Sequence, residues 1–398
     1  MEIVITGVGL ISAVGNNVAE CLVAFEKHQS GVKPIQFLPS RHAGKISVAE
    51  VKLSNEALAQ STGLSDKLSR SILLSYSAVK EAIKELPDHF SDKYKVGFFS
   101  GTTVGGMDKT ENFFEDYVSD EHAGDINLVK HHDCGKTADF VAKRLGLKGM
   151  VTTISTACSS SANTIMLGAR MIQHHQLDIV IAGGVDSLTR FTLNGFNTLQ
   201  ILDPEQCRPL DETRAGLNIG EGAAYLILMS AETAKKLNQQ ILCKITGYHN
   251  ANDSFHQTAL SDDGNGPFLA MQGALKKSGL NAGEISYINM HGTGTRNNDN
   301  AEGLAMKKIF DGKYPKLSST KSFTGHTLGA SGAVEAVLSV LAISKGIIFP
   351  NYSFSEPMSG LEIIPETKFQ KDVEVKHVMS NSFGFGGNCS SLIFSKYA

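Results

Sequence analysis

Four short stretches carry residue types suited to nucleophilic and acid–base chemistry. The first is TACSSSANT, which sets Cys158 between an apolar β-branched run and a small-residue helical pattern. A thiol at a helix N-terminus faces unpaired backbone N–H groups and the positive end of the dipole, which predicts a lowered pKa and a site for an oxyanion. The second, MHGTGT, places His291 after the apolar run Ile285–Met290 and among glycines that let backbone and ligand approach. The third, SSTKSFTGHTLGASGAVEA, supplies Lys321, His326 and Glu335, with His326 where a turn enters a helix. The fourth, NSFGFGGNCSS, sets Phe383 and Phe385 among Gly384, Gly386 and Gly387. Singly, each has a plain alternative: an inert buried cysteine, a satisfied core histidine, a solvated charge pair, an ordinary turn. Their combination is the signal.

The elements that must position these residues alternate along the chain. Strands are expected at Ile3–Thr6, Val96–Ser100, Val151–Ile154, Ile179–Ala182, Ala224–Met229, Ile285–Met290 and Ser390–Phe394. Helices are expected at Ser69–Glu85, Ser159–His174, Pro267–Ser278 and Gly332–Ser344, the second and last rich in small residues and therefore central and closely packed. Such alternation predicts a layered α/β fold. An internal echo points further. EIVITGVG at the start resembles ILCKITGYH from Ile241, and VTTISTACSSSA from Val151 resembles PKLSSTKSFTGH from Pro315. Two similar halves, 1–240 with the cysteine and 241–398 with the two histidines, explain both echoes. No low-complexity linker divides them, so one body is expected.

Composition narrows the function classes. The chain has 398 residues, 41% hydrophobic and 19% charged, which excludes disorder, collagen and coiled coil. A net charge of −3 offers no global field for nucleic acid or anionic lipid. The 6 cysteines include no CxxC pair, so neither a disulfide framework nor a zinc site is expected, and a reducing cytoplasm fits. MEIVITGVGLIS has no basic residues before its apolar run and reads as a first strand, not a signal peptide. No apolar stretch approaches the roughly 20 residues of a membrane span.

Taken in order, ITGVGLISAVGN, GTTVGG from Gly101, TACSSSAN, CRPLDETRAGLNIGEGAA from Cys207, HGTGT, STKSFTGHTLGASGAVEA and NSFGFGG resemble the β-ketoacyl-acyl-carrier-protein synthases of the elongating Cys-His-His type, end to end. The resemblance implies the thiolase fold, five layers αβαβα from two similar halves, as a homodimer or paired with a homologue. It implies a decarboxylative condensation in fatty acid synthesis, with acyl carrier protein as partner and no metal or redox cofactor. Cys158 would carry the acyl chain, and His291 and His326 would donate to the enolate oxygen. Lys321 paired with Glu335 would orient that region, and the Cys158 and Phe385 amides would form the oxyanion hole. Thr293 and Thr295 would hold the phosphopantetheine arm, Phe385 would gate the two pockets, and Val104 and Phe196 would line the acyl pocket. His256 and Thr258 would lie near the malonyl site, and Phe383 would be a further substrate-binding residue. Lys67, Arg70 and Arg208 are the candidate basic patch for the acidic carrier.

The departures from the family pattern are Gly387-Asn388-Cys389 behind the gate and the polar run LVKHHDCGKT, in which His131, His132, Asp133 and Cys134 lack zinc-site spacing. The polar run leaves open a specialised ketosynthase of aryl polyene, flexirubin or polyketide type. A short-chain dehydrogenase is the rival of another class, since Tyr76 to Lys80 fits YxxxK, but the third glycine of its nucleotide motif is Ser12. A thiolase would use a second cysteine as base, and a non-catalytic chain-length partner would lack Cys158.

Overall fold

In the computed structural model, which describes residues 1–397, ten strands form one mixed sheet. They are β1 (Ile3–Ser12), β2 (Val96–Gly101), β3 (Met150–Ile154), β4 (Ile179–Asp186), β5 (Gly222–Ser230), β6 (Cys243–Asn252), β7 (Tyr287–Asn289), β8 (Lys316–Ser318), β9 (His377–Phe383) and β10 (Asn388–Ser395). The order is β8-β7-β9-β10-β6-β1-β5-β4-β2-β3. Outward from β1, the pairings run antiparallel to β5, antiparallel to β4, then parallel to β2 and β3. Outward from β6 the same sequence recurs: antiparallel to β10, antiparallel to β9, parallel to β7 and β8. Only Ile3–Ile5 and Cys243–Ile245 join the two sets. The echoing segments fall on equivalent strands, β1 with β6 at the centre and β3 with β8 at the edges.

Five helices complete the layers: α1 (Arg70–Ala82), α2 (Ser160–Gln173), α3 (Asn265–Ser278), α4 (Arg296–Phe310) and α5 (Ser331–Lys345). α1 covers β1 and β5 on one outer face, and α3 covers β6 and β10 on the other. Between the two strand sets, α2 packs on β4 and β2 while α5 packs on β9 and β5. That gives the expected order αβαβα. Strands β4 and β5 are buried at every position, as continuous apolar runs covered on both faces must be. Helix α5 is buried from Ser331 to Ile343, which is why it is apolar all round. Its neighbourhood, Leu328–Lys345, is the one segment among the described residues apolar and long enough to cross a membrane, and 89% of it lies inside the protein.

Small residues explain how close α2 and α5 come. A Cβ on Gly332 would sit 2.8 Å from the Ala162 nitrogen, and one on Gly101 would sit 2.5 Å from the Ser161 nitrogen. These contacts fix the start of α2, where Cys158 lies. The predicted strand Ile285–Met290 shortens to Tyr287–Asn289, because the chain turns out of the sheet at His291 to follow the site.

One expectation is corrected here. Arg70 is not on a basic surface patch: it is buried at the start of α1, with its Nε 2.8 Å and its Nη2 2.6 Å from the fully buried Glu221 carboxylate. Its guanidinium also donates to the carbonyls of Val51 and Leu53, tying the loop before α1 to the core. Arg70→Ala leaves Glu221 charged, buried and unpaired, so a loss of about 3–5 kcal/mol is expected, read as a lower denaturant midpoint.

Candidate active site

Cys158 sits on a strained turn between β3 and α2. Ala157 just before it has φ 53°, a left-handed conformation that a non-glycine residue holds only when its surroundings impose it. Ser160 imposes it from the helix: its Oγ donates to the Ala157 carbonyl at 2.6 Å and accepts from the Thr156 N–H at 2.9 Å. On the other side Gly384 lies so close that a Cβ there would be 2.9 Å from the Thr156 oxygen. The following residue, Phe385, thereby aims its N–H at the Cys158 sulfur. Its ring stacks on Phe196, centroids 5.6 Å apart.

The two histidines come from the other half. His291 follows the short strand β7, and its loop is held by a residue that the sequence reading missed, Glu302 on α4. The His291 and Gly292 N–H groups donate to this buried carboxylate at 2.9 and 2.8 Å, and Asn381 Nδ2 donates at 3.0 Å. Asp299, one turn earlier, accepts from Gly294 and Leu210 N–H. Glutamate and aspartate at i and i−3 on an amphipathic helix directly after HGTGT were the available signal. His326 lies at the start of the loop that enters α5, whose other support is Asp186 at the end of β4. That carboxylate accepts from Thr102, Thr103, Val104 and Gly329 and so ties the two halves together at the site.

The three side chains converge. Cys158 Sγ is 3.1 Å from His326 Nε2, and the rings of His291 and His326 meet edge to face at 5.3 Å. Lys321 Nζ reaches His291 Nδ1 at 3.2 Å and forms a buried ion pair with Glu335. An ammonium only donates, so His291 Nδ1 is the acceptor and its Nε2 carries the proton. Burial, aided by the Lys321 charge, holds both imidazoles well below their ordinary pKa, hence neutral. Burial also raises the Glu335 carboxyl to about 7 against the pull of Lys321, and Glu302 to about 7.

The cysteine corrects the sequence reading. Burial outweighs the Lys321 charge and the Phe385 N–H, and pushes the thiol up to about 11 where a lowered value was expected. Burial thus favours the neutral thiol, with the neutral His326 imidazole in hydrogen-bonding range of it.

A cavity of about 400 Å³ opens onto this group. Thr293 and Thr295, 2.9 Å apart through their hydroxyls, line it together with Phe196, Thr258, Phe383 and Phe385. Val104 does not: it packs in an apolar cluster with Leu188, Leu193 and Leu328. His256 is also outside the lining, exposed, with Nδ1 accepting from the Thr258 N–H. Asn388, behind the gate, is a junction, its Oδ1 accepting from Ser159, Asn163 and Asn250. The His131–Cys134 segment forms no ligand cluster, and His132 Nδ1 pairs with Thr110 instead. Among the described residues the one set of potential metal-ligand atoms is Cys158, His291 and His326, all within 4.8 Å. With Lys321 on His291 Nδ1 the remaining nitrogen is protonated, which makes the set a hydrogen-bonding one. Arg208 is half-buried and Lys67 exposed.

Two family models account for most of the chain: "Beta-ketoacyl synthase, N-terminal domain" over residues 1–234 and "Beta-ketoacyl synthase, C-terminal domain" over residues 242–355. The chain belongs to the β-ketoacyl synthase family. Among curated relatives of the synthase, the 3-oxoacyl-[acyl-carrier-protein] synthase 2 of Coxiella burnetii is 32% identical over 99% of this chain and 98% of its own. The protein of the same name from Vibrio harveyi is 31% identical over 100% and 99%. Of solved structures, the ishigamide ketosynthase/chain length factor superposes with TM-score 0.93 at 28% identity, covering 100% of this chain and 99% of that one. The ketosynthase ApeO in complex with its chain length factor ApeC from Xenorhabdus doucetiae gives 0.83 at 31% identity, covering 100% and 98%. The synthase thus has the thiolase-like fold of the condensing enzymes, and the dehydrogenase alternative falls: Tyr76 and Lys80 lie on α1 in the outer layer.

Proposed function

We propose that this synthase is a 3-oxoacyl-[acyl-carrier-protein] synthase that joins an acyl group on Cys158 to malonyl carrier protein in fatty acid synthesis. The observation that carries the proposal is the convergence of a thiol and two neutral imidazoles on one cavity. The Cys158 sulfur attacks the acyl thioester and pantetheine sulfur departs with the proton that the cysteine lost. The carbonyl oxygen, negative in the intermediate, lies between the Cys158 and Phe385 amides. Malonyl carrier protein then binds, its carboxylate leaves as CO2, and the electrons collect on the thioester oxygen. His291 and His326 donate N–H to that enolate oxygen, and its carbon attacks the Cys158 thioester, releasing the sulfur and forming the 3-oxoacyl product. The scheme calls for no metal or redox cofactor.

In this scheme Lys321, paired with Glu335, fixes the His291 tautomer. Thr293 and Thr295 hold the phosphopantetheine arm, Phe385 stacked on Phe196 separates the two substrate pockets, and Phe383 and Thr258 flank the malonyl side. Val104 and His256 lie outside the cavity and take no part in this scheme. We treat 1–240 and 241–398 as two halves of one cytoplasmic body. Acyl carrier protein is the partner, with Lys67 and Arg208 retained as cationic contacts for it. A second subunit is proposed on the edge of β3: this strand ends the sheet with Met150 44% exposed, and Phe114, Tyr117 and Val118 are bare on the helix Met107–Ser119. Homodimer or pairing with a homologue follows from which copy covers it.

The polar run 128–137 and the ketosynthase/chain length factor superpositions favour, as a second reading, a specialised pathway for unsaturated or aryl acyl chains. Incubation with malonyl carrier protein and saturated, unsaturated or aryl acyl carriers, followed by mass spectrometry, separates the two. A two-carbon gain as 3-oxoacyl product on saturated carriers supports the first reading. Gain only on polyene or aryl carriers supports the second, and no gain on any carrier overturns both.

A further inference from the structure

His326 has a third partner that the condensation scheme does not use. Its Nδ1 lies 2.8 Å from the hydroxyl of Ser331, which is 1% exposed at the first turn of α5, and that hydroxyl is 3.3 Å from Thr327 Oγ1. The other groups around the ring are Cys158 at Nε2, the His291 ring, the Lys321 charge, and Asp186 behind the loop through the Gly329 N–H. Of these, Ser331 alone touches Nδ1.

We infer that Ser331 is a positioning residue for proton transfer, accepting from His326 Nδ1–H so that Nε2 presents its lone pair to the Cys158 thiol. The inference rests on the acyl-transfer reading of the site. In the resting state the protons then run in one direction: S–H to Nε2, Nδ1–H to Ser331 Oγ, and Ser331 O–H to Thr327. As the sulfur attacks a thioester, its proton moves to Nε2, the ring becomes an imidazolium that keeps its Nδ1–H on Ser331, and the departing pantetheine sulfur takes the Nε2 proton. A hydroxyl suits this post because it both accepts and donates. A serine that orients a histidine toward a thiol does the work that a carboxylate or amide does in other nucleophile–base–orienter sets.

The test is the rate of Cys158 alkylation by iodoacetamide against pH, with no carrier protein present. Ser331→Ala should slow alkylation at pH 7 about tenfold and move the rising limb of the profile to higher pH. In a His326→Ala background the same substitution should add nothing, since Ser331 acts only through that ring. An unchanged profile for Ser331→Ala overturns the inference. So does equal slowing in both backgrounds, which would mark a packing effect on α5. Because iodoacetamide replaces the acyl substrate, this result stays readable even if the wild-type chain condenses nothing and the proposed function fails.

Discussion

Cys158→Ala should reduce condensation by about 10³-fold or more while malonyl decarboxylation continues. The sulfur is the only atom that can hold the first acyl group, so its loss removes the acyl-enzyme and not merely a favourable contact. The alanine leaves His291, His326 and Lys321 in place, and the methyl group fits where the sulfur was buried. The enolate oxygen therefore still meets its donors. With no thioester to attack, the carbanion takes a proton, and acetyl carrier protein accumulates with one CO2 released per malonyl group consumed. Mass spectrometry of the carrier reads both outcomes at once. Loss of decarboxylation together with condensation would mean that Cys158 takes part in cleaving the malonyl carboxylate, and the separation of roles between sulfur and imidazoles would fail.

The residues behind that prediction were legible in the sequence to different depths. Cys158 and His291 each lie just beyond an apolar run, while Lys321 and His326 sit in a Ser-, Thr- and Gly-rich segment that leads into a small-residue helix, and those local signals survive without any long-range information. The layered fold was legible too, because β4, β5 and α5 are buried all round and so read as unbroken apolar runs. Their supports were not. Glu302, Asp186 and Ser331 act across distances that only the folded chain closes: Glu302 caps His291 from the next helix, and Asp186 reaches Gly329 across 143 positions. A lone carboxylate or serine in an amphipathic helix looks like a solvated surface residue until its partner is known. The thiol was misjudged for a related reason. A helix N-terminus lowers a pKa, but how far burial raises it depends on what closes over the sulfur, here the Gly384–Phe385 loop from the far end of the chain. Arg70 fails as a surface cation for the same cause, since its partner Glu221 lies 151 positions away.

Lys321→Ala should lower malonyl decarboxylation by about 10²–10³-fold, the loss typical of one misplaced oxyanion donor, while leaving Cys158 acylation nearly intact. Without the ammonium, His291 Nδ1 can carry the proton, and Nε2 then turns a lone pair toward the enolate oxygen that it should donate to. The same change strands Glu335, 2% exposed, without its counter-ion, which costs about 3–5 kcal/mol if the carboxylate stays charged. It escapes by taking up a proton. The folded Glu335 already titrates near 7, above its ordinary 4.5, so its effect on stability is largest below pH 4.5 and is lost as pH rises through about 7. Removing Lys321 takes away the pull that lowers the carboxyl, so the window still opens at 4.5 but extends to higher pH, and the variant should go on losing stability above the pH where the parent stops, read from thermal melts between pH 5 and 9. Adding Glu335→Gln separates the two effects. The double variant no longer buries an unpaired charge and should regain most of the lost stability, yet His291 still lacks its donor and decarboxylation should stay low. Recovery of decarboxylation along with stability would make Lys321 a structural residue, with no part in setting the tautomer of His291.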